Sequence, residues 1–301
     1  MSAKLPVVVG LDDHPGGLAA VEWAAREALH RDAPLRVVHA AETAPHPPGT
    51  ALAGAALPPD PRWSERALAA ARALLVHRHP GLEVTAERIS GDAVTALVDA
   101  ARNACVLVLG THGPGRATGL LLGSVSRGVV ARAERPVVLV PSGSDAQRNG
   151  ADSEAADQRA AAPGADVVVG VGPAGADGDV LAFAFDAASR RACGLRVIHG
   201  GGLAAGSPSA EELPGVDEAG AASPAPALVP PSLREEFPGV RVSEQAVIGT
   251  AGSHLVDASR NAALLVVGRA APDAPAGAHI GPVTDAVLQH ARSPVAVVPH
   301  G

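Results

Sequence analysis

The chain repeats itself. PVVVGLD at 6–12 returns as DVVVGVG at 166–172 and LRVVHA at 35–40 returns as LRVIHG at 195–200, both 160 residues on; RPVVLVP at 135–141 returns as SPVAVVP at 293–299, 158 on. A steady offset with one small net deletion marks a duplicated domain. At 301 residues, and with about 150 residues to a domain, two such units fill the chain. The boundaries fall at 1–142 and 166–301, joined at 143–165 by a polar, small-residue stretch without periodicity that reads as a linker.

In the first unit the unbroken apolar run Val7–Leu11 reads as a strand buried on both faces. Leu18, Val21, Ala25 and Leu29 then recur at helical spacing. Next come a strand at Leu35–Ala40, a loop rich in Pro, Gly and Ala at 41–61, a helix at Trp63–His77 and a strand at Leu82–Ile89. A helix at Asp92–Asn103, led by Gly91-Asp92 as a cap, precedes the apolar strand Cys105–Leu109. A last helix opens at Gly123 and Ser124, with Val125, Val129 and Val130 facing the core, and the strand Pro136–Val140 closes the unit. This alternation predicts an α/β fold: two tandem doubly wound five-stranded parallel sheets, order 3-2-1-4-5, with helices on both faces. In the second unit Gly200–Pro231 is rich in Pro, Ala and Gly, and only Ser232–Phe237 reads as helix there. In that strand order the winding reverses between the first and fourth strands, and ligands of open α/β sheets sit in the crevice so formed. Asp12 and Gly110 end those two strands.

After the fourth strand come glycines at 110, 113, 115, 119 and 123. A glycine-rich turn between a buried strand and a helix presents backbone N–H groups to a phosphate. It is not a dinucleotide fingerprint, because after Gly113 and Gly115 the third glycine, Gly119, falls one position late. It is not a Walker A loop either: Arg116 stands where the lysine belongs, and Lys4 is the only lysine in the chain. What the loop does match is G-x2-G-x9-G-[ST], filled by Gly110, Gly113, Gly123 and Ser124. With VVVGLDD near the start, a helix carrying Trp23-Ala24-Ala25, LRVVHA and PVVLVP, the first half resembles the universal stress protein family, and the second half resembles it more weakly.

The resemblance implies a nucleotide-dependent regulatory or stress-response protein that binds ATP with Mg2+ and has no dedicated catalytic residues. It puts Gly10, Asp12 and the backbone at Ala40 in the pocket, with Asp12 on the sugar and base side. Gly110 and Gly113 let the backbone approach the phosphates closely. Thr111, His112, Gly115 and Arg116 line the loop, and Gly123, Ser124 and Val125 open the helix towards the phosphates. Taken alone, Asp12 also fits an ordinary turn, Ser124 a plain N-cap and Arg116 a solvated cation. In the second copy Gly268, Ala271, Gly281 and Pro282 stand for Gly110, Gly113, Gly123 and Ser124, and Gly172 stands for Asp12. Proline at the first helical position keeps the helix while removing a hydroxyl and an N–H. The second copy thus reads as a fold retained and a site lost.

The alternative with the same fold is a scaffold that binds no nucleotide and serves only dimerisation. Hydrolase or ligase chemistry is disfavoured by the missing lysine. It is disfavoured also by DDHPGG, which stands where adenine-nucleotide hydrolases of similar fold carry SGGxDS. His112, Asp13 and His14 are paired with no nucleophile, and the histidines show no metal-ligand spacing. A net charge of -7 with no tyrosine and 3 phenylalanines argues against nucleic acid as a partner. No apolar stretch approaches the roughly 20 residues of a membrane span. Cys105 and Cys193, outside any CxxC, read as buried thiols, and with the lack of a signal sequence they suggest a cytoplasmic protein. The apolar last strands, Val137–Val140 and Val295–Val298, are edges that need cover, either from each other or from a second chain.

Overall fold

A computed structural model of the chain describes residues 4–12, 16–41, 61–111, 122–141, 165–172, 178–201, 228–248, 250–270 and 280–300. The first repeat runs β1 (Val7–Gly10), α1 (Gly16–Arg31), β2 (Leu35–Ala41), α2 (Pro61–Arg78), β3 (Val84–Ser90), α3 (Ala93–Arg102), β4 (Val106–Thr111), α4 (Ser124–Arg132) and β5 (Val137–Pro141). The second repeat runs β6 (Val167–Val171), α5 (Gly178–Arg190), β7 (Leu195–Gly201), α6 (Pro231–Glu236), β8 (Val242–Ile248) and α7 (Ala251–Ala258). It ends with a single 3-10 turn (Ser259–Asn261), β9 (Leu264–Ala270), α8 (Pro282–His290) and β10 (Val295–His300). The expected shortening of the second helix is real: α2 has 18 residues and α6 has 6.

The strand order is β3-β2-β1-β4-β5-β10-β9-β6-β7-β8. Each half therefore has the expected 3-2-1-4-5 winding, but the two sheets are not separate. They join edge to edge through β5 and β10, which pair antiparallel with Val138 opposite Ala296, Val137 opposite Val297 and Leu139 opposite Val295. Since residue 138 plus 158 is residue 296, equivalent residues face each other across a pseudo-two-fold axis. The apolar last strands cover one another inside one chain, so pairing of two chains through these edges is not what the structure adopts.

The central strands are buried on both faces, which is why their sequences run apolar without alternation. Val7, Val9, Val108, Val138 and Ala296 face the layer of α1, α2 and α5. Val8, Leu107, Leu109, Val137 and Val297 face the layer of α3, α4, α7 and α8. The expected helix faces need correction at three residues. In α1, Leu18 is 55% and Leu29 47% exposed, because the stripe meeting the sheet is Gly17, Ala20, Val21, Ala24, Ala25 and Ala28, and the leucines lie one position round from it. In α4 the stripe is Ser126, Val129 and Val130, so Val125 is exposed rather than in the core. Both thiols are half-buried rather than fully buried; Cys105 donates to the Pro6 carbonyl at 3.3 Å, and burial raises the pKa of each.

Across the axis on the α1/α5 face lies a charged cluster. Glu27, 2% exposed, accepts from Arg31 Nε at 2.6 Å and from Arg191 Nη2. Arg31 Nη1 also donates to Asp186 at 3.0 Å. Arg31 lies over the Phe183 ring at 5.5 Å and Arg191 over the Trp23 ring at 5.7 Å. These are equivalent contacts, since Arg191 and Phe183 stand 160 residues beyond Arg31 and Trp23. Burial pushes the Glu27 carboxyl up, but the Arg191 and Arg31 guanidiniums together outweigh it and hold its pKa below the ordinary value. A lowered carboxyl pKa contributes stability above the unfolded value, about 4.3, and that stability is lost as pH falls through the lower folded value. Glu27→Ala, which strands two part-buried guanidiniums, is expected to cost about 3 kcal/mol or more at neutral pH. Glu27→Gln should flatten the loss of stability below pH 4, and denaturant titrations across pH read both.

Candidate functional site

The switch point of the first repeat is the gap between β1 and β4, which are hydrogen-bonded neighbours with Gly10 beside Leu109. Their C-terminal ends open into a cleft of about 280 Å3, closed at the sides by the end of β2 and the starts of α3 and α4. Among the residues expected at the site, Gly10, Asp12, Ala40, Gly110, Gly123, Ser124 and Val125 line this cleft. Thr111 does not: it is 2% exposed and its hydroxyl donates to the Val140 carbonyl at 3.4 Å. His112, Gly113, Gly115 and Arg116 lie outside the described residues. Leu11, Val38, His39, Ala93, Leu97, Leu109 and Ser126 complete the lining and were not anticipated.

The end of β1 is fixed from both sides. The Leu11 N–H donates to the Val38 carbonyl at 2.8 Å. His39 Nδ1 is 2.8 Å from the Leu11 carbonyl, which only accepts, so the ring carries its proton on that nitrogen. Trp63 holds the His39 ring in an edge contact at 5.5 Å. Asp12 follows, its carboxylate beside the start of α1, where a Cβ on Gly17 would come within 3.0 Å of Oδ1. Gly10 has a packing role of its own: a Cβ there would meet Leu109 Cδ2 at 2.7 Å and Leu97 Cδ2 at 3.3 Å. Its counterpart Gly170 stands in the same relation to Leu255, at 2.6 Å. Gly10 is thus required by both copies and does not by itself mark a ligand.

The opposite wall is the start of α4. Gly123 is the N-cap, with φ −61° and ψ 156° and no side-chain cap, so Ser124 is the first helical residue and not the cap. Intrahelical bonding begins when Arg127 N donates to Gly123 O at 3.0 Å, so the N–H groups of Ser124, Val125 and Ser126 have no helical acceptor. They form the positive end of the helix dipole, at the cleft. At the start of α3, Asp92 is committed to its own helix: Thr95 N–H at 3.0 Å and Thr95 Oγ1 at 2.9 Å donate to it and hold its carboxyl below the usual range. No group of three His, Cys, Asp or Glu able to hold a metal occurs among the described residues.

The second copy provides an internal comparison. Gly281 caps α8 with φ −62° and ψ 158°, nearly the values at Gly123, so the two helices open on the same cap conformation. Pro282 lacks the N–H that Ser124 has, and Thr284, the counterpart of Ser126, donates its hydroxyl to Gly268 O at 3.0 Å. Asp285 puts a carboxylate in the first turn, where it answers the helix dipole from within. Gly172 offers no side chain where Asp12 has one.

The helices flanking the cleft pack closely through glycine. A Cβ on Gly128, in the interior of α4, would lie 2.9 Å from Val94 Cγ2. In the second copy the small residue has moved to the other helix, with Gly252 facing Ala286 at 3.3 Å. Close approach of the two helices is retained, although glycine in a helix interior costs about 1 kcal/mol relative to alanine. Gly128→Ala is therefore expected to destabilise by about 1–3 kcal/mol through overpacking, with most of that cost relieved in a Val94→Ala background. A double-mutant cycle by denaturant unfolding measures the coupling.

The chain matches the model of the Universal stress protein family over residues 5–141 and 165–299. It is 33% identical over 317 residues to the universal stress protein Rv2623 of Mycobacterium tuberculosis, covering 98% of this chain and 97% of that protein. It is 30% identical to a universal stress protein of Mycolicibacterium smegmatis, covering 97% and 96%. Among solved structures, a universal stress protein from Archaeoglobus fulgidus aligns over 99% of both chains with a TM-score of 0.65 at 16% identity, a likeness of fold.

Proposed function

Because the chain belongs to the universal stress protein family and carries two copies of the family domain, we propose that its first repeat binds ATP with Mg2+ in the cleft between β1 and β4, and that the second repeat no longer binds nucleotide. The observation that carries this reading is the difference between the two helix starts. The first presents N–H groups with no helical acceptor across the cleft from Asp12. The second has Pro282, Asp285 and Gly172 at or near the corresponding places.

The described walls enclose about 280 Å3, close to the lower end of ligand sites at roughly 300 Å3, and their apolar lining suits a nucleoside. The base rests against Val38, Ala40 and Leu97. Asp12 accepts from ribose hydroxyls, since a carboxylate against the phosphates would be repelled. The N–H groups of α4 and the Ser124 hydroxyl receive the phosphates, with Gly110 and Gly113 allowing close approach, His112, Gly115 and Arg116 around the loop, and Arg116 offsetting charge. Mg2+ is carried by the phosphates, where it neutralises their charge. The bound nucleotide acts as a regulatory ligand, and the reading requires no hydrolysis. The free thiols fit a cytoplasmic setting.

Calorimetric titration with ATP should give one site per chain. Asp12→Ala should weaken binding at least about tenfold, the loss of a charged hydrogen-bond acceptor. Ser124→Pro, which copies the second repeat, should abolish binding while leaving the circular dichroism spectrum unchanged. No heat at millimolar ATP would favour the scaffold that binds no nucleotide, and two sites per chain would show that the second repeat has kept its function.

A further inference from the structure

The nine residues of α4 form a short helix, and both of its ends are held by the second repeat. At its C-terminus, Ala133 donates its N–H to Val129 O at 2.8 Å, while its carbonyl accepts from Arg269 Nη2. Arg269 is 2% exposed and sends its other terminal nitrogen to Ala270 O at 2.8 Å. A guanidinium at a helix C-terminus satisfies a carbonyl that has no helical donor and complements the negative end of the dipole. At the N-terminus, Arg127 pairs with Asp285, whose carboxylate is steadied by Gln289 Nε2 at 2.6 Å. Arg127 directly follows Ser126, which lines the cleft.

The positions involved matter. Arg269 corresponds to Thr111, the residue from which the glycine loop of the first repeat departs, and Asp285 corresponds to Arg127. Burial lowers the pKa of Arg269, the direction expected of a cation taken out of water. In a repeat that has no phosphates to receive, both positions are free to serve the neighbouring repeat.

We propose that Arg269 is a positioning residue for the first repeat's site: by gripping the C-terminal carbonyl of α4 it sets the helix where its first-turn N–H groups meet the phosphates. The second repeat is then a working part of the first repeat's binding site. Hydrogen bonds weaken steeply with distance and angle, so a small slide of a short helix is felt at its far end. The inference rests on the nucleotide reading above, and it separates the two ends of the ligand. The base and ribose are held by β1, β2 and α3, which Arg269 does not touch, whereas the phosphates are held by α4.

The test compares ATP with adenosine in the full chain by calorimetry, for wild type and Arg269→Met. The expected result is an ATP dissociation constant raised about fivefold or more, the scale of a coupling between sites, with that of adenosine unchanged. An equal loss for both ligands would mean general loosening and would overturn the proposal, as would unchanged ATP affinity in a wild type that binds ATP. A wild type that binds neither ligand would overturn the nucleotide reading and this inference together. If the methionine variant does not fold, Arg269→Thr, which copies the residue at the equivalent first-repeat position, Thr111, and removes the guanidinium, provides the same comparison and the same criteria.

Discussion

Two apolar strand edges cannot both be left in water, and the antiparallel pairing of β5 with β10 is how this chain resolves that constraint. Valine and leucine side chains at these edges would otherwise present an unpaired, sticky ladder. Joined at Val138 and Ala296, they turn two sheets into one of ten strands and let a core run along each face of it. Because the pairing brings equivalent residues together, residues near the axis face their own counterparts. Two identical units would set Arg127 against Arg127; duplication in one chain has allowed the copies to diverge into Arg127 and Asp285. The aromatic contacts stay symmetric, each repeat sending an arginine over the other's ring.

The same divergence separates the helix starts. Gly123 and Gly281 keep almost the same backbone angles, so the extended cap is common to both copies, whatever else differs at the helix start. What differs is what the first turn offers: an N–H and a hydroxyl at Ser124 in one copy, an imino acid and a carboxylate in the other. A helix N-terminus that already has an acid in its first turn has less to gain from a second anion. The carboxylate that sits in the second helix's first turn, Asp285, is also the charge that ties the two repeats together.

Most of the strand order was legible in the sequence, because strands buried on both faces leave unbroken runs such as Val7–Val9 and Leu107–Leu109, and the repeat offset tells where each recurs. Helix faces were less legible. An alanine-rich stripe such as Ala20, Ala24, Ala25 and Ala28 carries little hydrophobic signal, so the leucines at 18 and 29 outweigh it in the pattern although they lie beside it. At the cleft, residues with unusual chemistry or flexibility, Asp12, Gly110 and Ser124, could be picked out. Val38, Leu97 and Leu109 could not, since a leucine that walls a cleft is spelled like one in the core. The cluster of Glu27, Arg31, Asp186 and Arg191 was invisible for a different reason: its members belong to different repeats, and only the pseudo-two-fold axis brings them together.

With the inner edges consumed, the sheet formed by the described residues ends on β3 and β8. These are built differently from the strands at the centre. β3 reads VTAERIS, largely exposed, with Glu87 paired to Arg36 and Arg88 following it; β8 reads VSEQAVI, with Glu244 paired to Arg234. Charged side chains on an outer strand penalise the docking of another strand alongside. Rims built in this way leave molecules that meet edge to edge with little to gain by zipping into filaments.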